Sequence, residues 1–148
     1  MKSKLICPRC GFTITTYKNP LPTVDIVIRN QGGIVLISRK NPPFGWALPG
    51  GFVDYGESVE EAAKREAKEE TSLDIQNLKL LGVYSSPDRD PRHHTISTVF
   101  TADSAGNPTA GDDAAQTRVF MKGNLPQDLA FDMLKSLRIF FESERHLS

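Results

Sequence analysis

Residues 51 to 73 read Gly-Phe-Val-Asp-Tyr-Gly-Glu-Ser-Val-Glu-Glu-Ala-Ala-Lys-Arg-Glu-Ala-Lys-Glu-Glu-Thr-Ser-Leu. Ser58 and Glu61 stand at capping-box spacing, where the serine hydroxyl and the glutamate carboxylate satisfy each other's backbone amides. Alanine, lysine, arginine and glutamate then dominate, all good helix formers, so the segment predicts a helix from Ser58 to about Thr71. On a wheel at about 100° per residue, Val59, Ala62, Ala63 and Ala67 form the apolar side, opposite Glu60, Glu61, Lys64 and Lys68. Glu66 and Glu70 fall within about 20° of Val59, on the side meant for the core. Two carboxylates stacked one turn apart there repel each other and lose hydration, which raises their pKa or demands a cation. Hard oxygen donors favour Mg2+, or Mn2+, over zinc.

Two flanking carboxylates have a second use. Glu69 sits beside Arg65, four residues earlier, and is either a metal ligand, directly or through water, or a salt-bridge partner. Glu57 precedes the helix and either reaches the same ion or pairs with Arg65.

Working outward, Thr23 to Arg29 and Ile34 to Arg39 read as strands joined by a turn at Asn30 to Gly33, a β-hairpin. Asn41 to Gly51, rich in proline and glycine, reads as loop or short edge strand. Leu78 to Tyr84, Thr95 to Thr101 and Thr117 to Met121 are further strand candidates, with polar loops at Ser85 to His94 and Gly106 to Ala115. Asp132 to about Glu144 is a terminal helix with Leu134, Leu137 and Phe141 on one face. Hairpin, helix, strands and helix together fit α/β layering, a mixed sheet between helices.

The 148 residues suit one core, which buries roughly two thirds of the surface of the unfolded chain. Eighteen basic and eighteen acidic side chains cancel, so no global field draws in nucleic acid polymers or anionic membranes, and phosphate binding has to be local. No signal-like or membrane-spanning run is present, and a cytoplasmic location is expected. Residues 1–19 read as an N-terminal hook and 20–148 as the functional domain. Within the hook, Cys7-Pro8-Arg9-Cys10-Gly11 looks like half of a zinc knuckle. His93, His94 and His146 are not at knuckle spacing, so structural Zn2+ at Cys7 and Cys10 within one chain is not expected. Two chains pooling their pairs, or a redox role, are the alternatives to reduced thiols on a remnant hook.

The stretch from Gly51 through Glu57, Arg65, Glu66, Glu69 and Glu70 to Leu73 resembles the Nudix box, Gly-x5-Glu-x7-Arg-Glu-U-x-Glu-Glu-x-Gly-U with U apolar. Six of its seven fixed positions match; the departure is Ser72 in place of glycine. That glycine ends the helix in a left-handed conformation, for which serine lacks the steric freedom, so the change bears on helix termination and not on metal ligation. The resemblance extends over nearly the whole chain after Asn19 and implies the Nudix fold, Mg2+ dependence, and catalytic or metal-binding work for Glu57, Arg65, Glu66, Glu69 and Glu70. Trp46-Ala47-Leu48-Pro49-Gly50-Gly51 is similar to the strand and turn before the box, which implies the Gly50 carbonyl as a metal ligand and Gly51 against the substrate diphosphate.

The loop Ser85 to His94 is similar to the corresponding segment of ADP-ribose pyrophosphatases, with Arg89 and Arg92 as forked donors for phosphate. Its alternative is a surface loop whose Asp and Arg pair with each other. Gly111 to Gln116 resembles a stretch where relatives carry glutamate at the position of Gln116; Asp113, then Asp112, is the candidate for the extra carboxylate base. The implied reaction splits a nucleoside diphosphate from its other moiety, ADP-ribose to AMP and ribose 5-phosphate, with an oxidised nucleoside triphosphate as the alternative substrate and a non-catalytic nucleotide sensor as the alternative class. Sensors typically lose the box carboxylates, which are retained here. The resemblance also implies a homodimer as one open assembly, for which Phe12, Ile14 and Tyr17 are available as an interface.

Overall fold

Val24, Ile26 and Ile28 alternate along one strand with Asp25, Val27 and Arg29, and a pleated strand sends these two sets to opposite faces. In the computed structural model, which describes residues 1–111 and 114–145, both faces are covered. Val24, Ile26 and Ile28 pack in one apolar cluster with Ala62, Ala63 and Ala67, whereas Val27 packs in a second with Met133, Leu137 and Phe140. Each cluster belongs to one helix, so the sheet is sandwiched and the architecture is α/β/α.

The elements run β1 (Lys2–Ile6), β2 (Thr13–Tyr17), β3 (Leu21–Asn30), β4 (Gly33–Arg39), β5 (Trp46–Ala47), β6 (Gly50–Phe52), α1 (Val59–Thr71), β7 (Ile75–Tyr84), β8 (Thr95–Ser104), β9 (Ala114–Phe120) and α2 (Met133–Arg145). The main sheet has the path β5-β4-β3-β8-β7, with β6 on β3 and β9 on β4. β3 and β4 meet only at Arg29–Ile34 and Asn30–Gly33, after a tight turn through Gln31 and Gly32, both at positive φ. Beyond that turn they part. The first half of β3 takes β6 as its antiparallel neighbour, and β8 runs parallel to β3 from Leu21–Thr95 to Arg29–Asp103. This opening in the sheet admits the Pro49 to Gly51 segment beside α1.

Two local readings change. Residues 2–17 are not a bare hook but an antiparallel hairpin forming its own two-stranded sheet. The buried stripe of α2 is Met133, Leu137 and Phe140, while Leu134 is 66% exposed, because the helix turns the Met133 face to the Val27, Leu36 and Leu48 cluster of the sheet. No described helix is long and apolar enough to cross a membrane.

Candidate active site

Helix α1 forms as its sequence dictates. Ser58 accepts from the Glu61 amide and Glu61 answers the Ser58 amide, completing the capping box. At the other end Ser72 adopts a left-handed conformation (φ 60, ψ 9), and its amide closes onto the Lys68 carbonyl at 2.9 Å. Serine thus performs the helix-ending turn, with its hydroxyl donating to the Thr109 carbonyl at 3.3 Å.

The core-facing carboxylates meet β6. Glu70 is 6% exposed, and its Oε2 accepts from the Gly50 amide at 2.8 Å. The Glu66 carboxylate lies over Gly51 so closely that a Cβ there would stand 2.4 Å from Oε1. A Cβ on Gly50 would meet the Val24 carbonyl at 2.1 Å. Gly50 is therefore required by the β3 backbone, whereas a side chain at Gly51 would displace the Glu66 carboxylate from its place.

Arg65 gathers the remaining carboxylates. Its guanidinium donates to Glu57 (3.1 and 2.5 Å), to Glu66 (2.7 Å), to Glu69 (3.1 Å) and to the Phe52 carbonyl (3.0 Å). The bonds to Glu57 raise the Arg65 pKa further, and the same bonds, with the Asp54 amide, lower that of Glu57. Glu66 goes the other way: burial raises its pKa, against the pull of Arg65. Of the two readings of Glu57 and Glu69, the fold shows the pairing with Arg65, at the edge of the cluster that holds Glu66.

Among the described residues no group of three or more His, Cys, Asp and Glu side chains closes on a ready-made metal centre, and Arg65 occupies the middle of the cluster. The donor set nevertheless fits a hard divalent cation. Three carboxylates share one guanidinium, and Glu66 is held where its charge is poorly hydrated, so an additional cation would relieve it.

In front of these residues lies a cleft of about 270 Å³, lined by Arg39, Asn41, Asp54, Glu66, Glu70 and Arg92 among others. Arg92 forks onto Asp90 at 3.0 and 2.8 Å and stacks over Phe131, 5.6 Å from the ring centre. Arg89 is placed differently from a phosphate ligand on a surface loop. Its side chain is 6% exposed, with ion pairs to Asp25 (3.5 Å) and Asp132 (3.3 Å) and a bond to Thr95 (3.3 Å). Asp113 and Asp112 lie outside the described residues, as does His146. The chain leading to the aspartates is fixed to α1: Gly111 donates to the Glu70 carbonyl at 3.2 Å, and a Cβ on it would stand 1.9 Å from the Glu69 carbonyl oxygen.

Sequence reading missed Asp25, Arg39 and Asp132. Asp25 alone left a signal, a carboxylate inside the apolar run of β3. Burial raises its pKa, opposed by a short bond from Ser97 and by Arg89.

The NUDIX domain family matches residues 19–137. The chain belongs to the Nudix family. As a Nudix hydrolase it is 54% identical over 125 residues, 82% of this chain and 73% of the other, to an ADP-ribose pyrophosphatase of Methanocaldococcus jannaschii. Its fold matches that of a MutT/Nudix family protein from Enterococcus faecalis at TM-score 0.79 and 33% identity, covering 86% of this chain and 63% of that one. The NUDIX domain of Shewanella oneidensis NrtR, solved with ADP ribose, matches at TM-score 0.78 and 26% identity over 89% of this chain and 91% of its own. The Nudix box is thus the segment built around Arg65, Glu66 and Glu70.

Proposed function

We propose that this Nudix hydrolase cleaves ADP-ribose to AMP and ribose 5-phosphate with Mg2+, Mn2+ serving in its place. The observation that carries this reading is one cleft lined together by the half-buried Glu66, the buried Glu70 and the two arginines Arg39 and Arg92. The likeness to the M. jannaschii ADP-ribose pyrophosphatase supports the choice of substrate.

Glu57, Glu66, Glu69, Glu70 and the Gly50 carbonyl would hold the metal, whose chemistry when bound would be neutralisation of diphosphate charge and a lowered pKa for the attacking water. Arg65 keeps Glu57, Glu66 and Glu69 in register, a positioning role. Gly51 leaves room for Glu66, Arg92 would turn its fork from Asp90, which holds it in the free protein, to a phosphate oxygen, and Arg89 supports that loop from beneath through Asp25 and Asp132. Water adds to one phosphorus, the bond to the bridging oxygen breaks, and the leaving phosphate takes the electron pair. Asp113 is the proposed acceptor of the water's proton.

Residues 20–148 form the hydrolase domain in this reading, consistent with the family match beginning at residue 19. Residues 1–19 are an appendage through which two chains form a homodimer.

The test is AMP release from ADP-ribose, other nucleoside diphosphate sugars, dinucleotides and nucleoside triphosphates, with Mg2+, alongside Glu70→Gln. ADP-ribose turnover that disappears in the variant is expected. Preference for an oxidised triphosphate would overturn the substrate, and nucleotide binding with no turnover would make the chain a sensor.

A further inference from the structure

The β1–β2 hairpin takes no part in the site described above, and its construction is unusual for a surface appendage. A lone two-stranded hairpin is marginal in water. This one nevertheless exposes Leu5 (61%), Phe12 (68%) and Ile14 (50%). Leu5 pairs with Ile14 in the register, and the Cys7 amide donates to the Phe12 carbonyl at 2.9 Å, so the ladder continues through Cys7 and Phe12. Side chains alternate across a strand, which places Leu5, Cys7, Phe12 and Ile14 on one face. The other face carries Lys2, Lys4, Ile6, Thr13, Thr15 and Tyr17, so it too exposes apolar side chains, and the cysteine on the first face is what distinguishes the two.

The tip is shaped around sulfur. Gly11 donates to the Cys7 carbonyl at 2.9 Å and takes a positive φ of 70°. Hydrogen bonding from the backbone of Arg9 and Cys10 lowers the Cys7 pKa. Both thiols are free. Among the described residues no third ligand joins them. Two thiolates on a knuckle leave a tetrahedral zinc site half complete. A two-fold axis supplies the same half again, because an isologous contact brings identical patches together.

We propose that Cys7 and Cys10 of one chain and the same two cysteines of a second copy share a single zinc ion, with Leu5, Phe12 and Ile14 of the two hairpins covering one another beside it. The inference rests on the homodimer reading above and is independent of the substrate assigned there. Each thiol gives up its proton as the metal binds, so assembly releases protons and depends on zinc.

The test uses the full chain, reduced, stripped with a chelator and titrated with zinc, while molar mass is followed by light scattering. The expected result is a shift from monomer to dimer saturating at about one zinc per two chains. Cobalt in place of zinc should give the sulfur-to-metal charge-transfer absorption of a thiolate site, which glutamate-bound cobalt at α1 cannot produce. The Cys7→Ser, Cys10→Ser double variant should lose both the absorption and the metal-dependent dimer, with its far-ultraviolet circular dichroism and ADP-ribose turnover retained. One zinc per monomer, no thiolate absorption, or a dimer indifferent to chelator and to the double substitution would each overturn the shared site. Loss of ADP-ribose turnover in every form would count against the substrate assignment and leave the zinc result standing.

Discussion

Arg65 and Glu57 form a two-point grip, Nε and Nη2 of the guanidinium reaching the two oxygens of one carboxylate at 3.1 and 2.5 Å. The same guanidinium holds Glu66 and Glu69, so its planar fork sets the spacing of three acidic groups. A lysine cannot reproduce that fork. Arg65→Lys is expected to keep the fold and to lower kcat by about 100-fold, the scale of an ångström-sized misplacement. Steady-state kinetics beside a thermal melt check this; a lower Tm with kcat intact would make Arg65 structural only.

Glu66 and Glu70 contribute through charge as well as position. Glu70→Gln keeps an oxygen for the Gly50 amide but removes the charge, and activity is expected to drop by roughly 100-fold or more, the equivalent of several kcal/mol of lost charge stabilisation. Raising Mg2+ should restore part of it. Activity titrated against Mg2+ for wild type and variant reads this directly.

The burial of Glu66 has a pH signature. Its pKa is raised in the folded state, so the folded protein binds this proton more tightly than the unfolded chain does. Its ionisation therefore costs stability as pH rises through the folded pKa, and the cost is absent below the unfolded value. A bound cation reverses the preference. Metal binding is expected to displace a proton and to weaken as pH falls through the raised pKa, with a shallower pH dependence in Glu66→Gln. Calorimetric titration of Mg2+ in buffers of different ionisation enthalpy counts the released proton.

Two arginines of one loop should fail differently. Arg89 is buried between Asp25 and Asp132, and removing one partner from such a cluster costs about 3–5 kcal/mol, so Arg89→Ala is expected to show mainly in denaturant melts. Arg92 lines the cleft, and Arg92→Ala is expected to raise KM several-fold and also to lower Tm, because it leaves the buried Asp90 carboxylate without its ion-pair partner.

Helix α1 was almost wholly legible because its signals are local: the Ser58–Glu61 box, the alanine face and the left-handed stop at Ser72 all follow from neighbours along the chain. The β3–β4 hairpin declared itself in the same way. The cluster of Asp25, Arg89 and Asp132 did not, since its members come from β3, a loop and the start of α2 and meet only through the tertiary fold. The β1–β2 hairpin escaped notice because its strands bury little, so apolar alternation against a core is missing. On α2, apolar residues occur on two adjacent faces, Met133 with Leu137 and Phe140 and Leu134 with Phe141, and only docking against the sheet decides which is buried.

Ser72 offers a test of the helix stop itself. Glycine adopts φ 60 at lower cost, about 1 kcal/mol, against the loss of one exposed bond to the Thr109 carbonyl. Ser72→Gly is expected to raise Tm by roughly 2–4 °C with kcat unchanged, measured by calorimetry.

The parallel pairing of β3 with β8, from Leu21–Thr95 to Arg29–Asp103, also imposes an order on synthesis. The helix bearing the carboxylates leaves the ribosome before the strand that completes the middle of the sheet. Until Ser104 has emerged, β3 lacks its parallel neighbour, and Val24, Ile26 and Ile28 have α1 to lie against but an unfinished edge beside them. Contacts this distant along the chain form slowly. The nascent protein therefore carries its acidic helix through a period with an open strand edge, and it is during translation, more than in the finished enzyme, that this chain is open to aggregation.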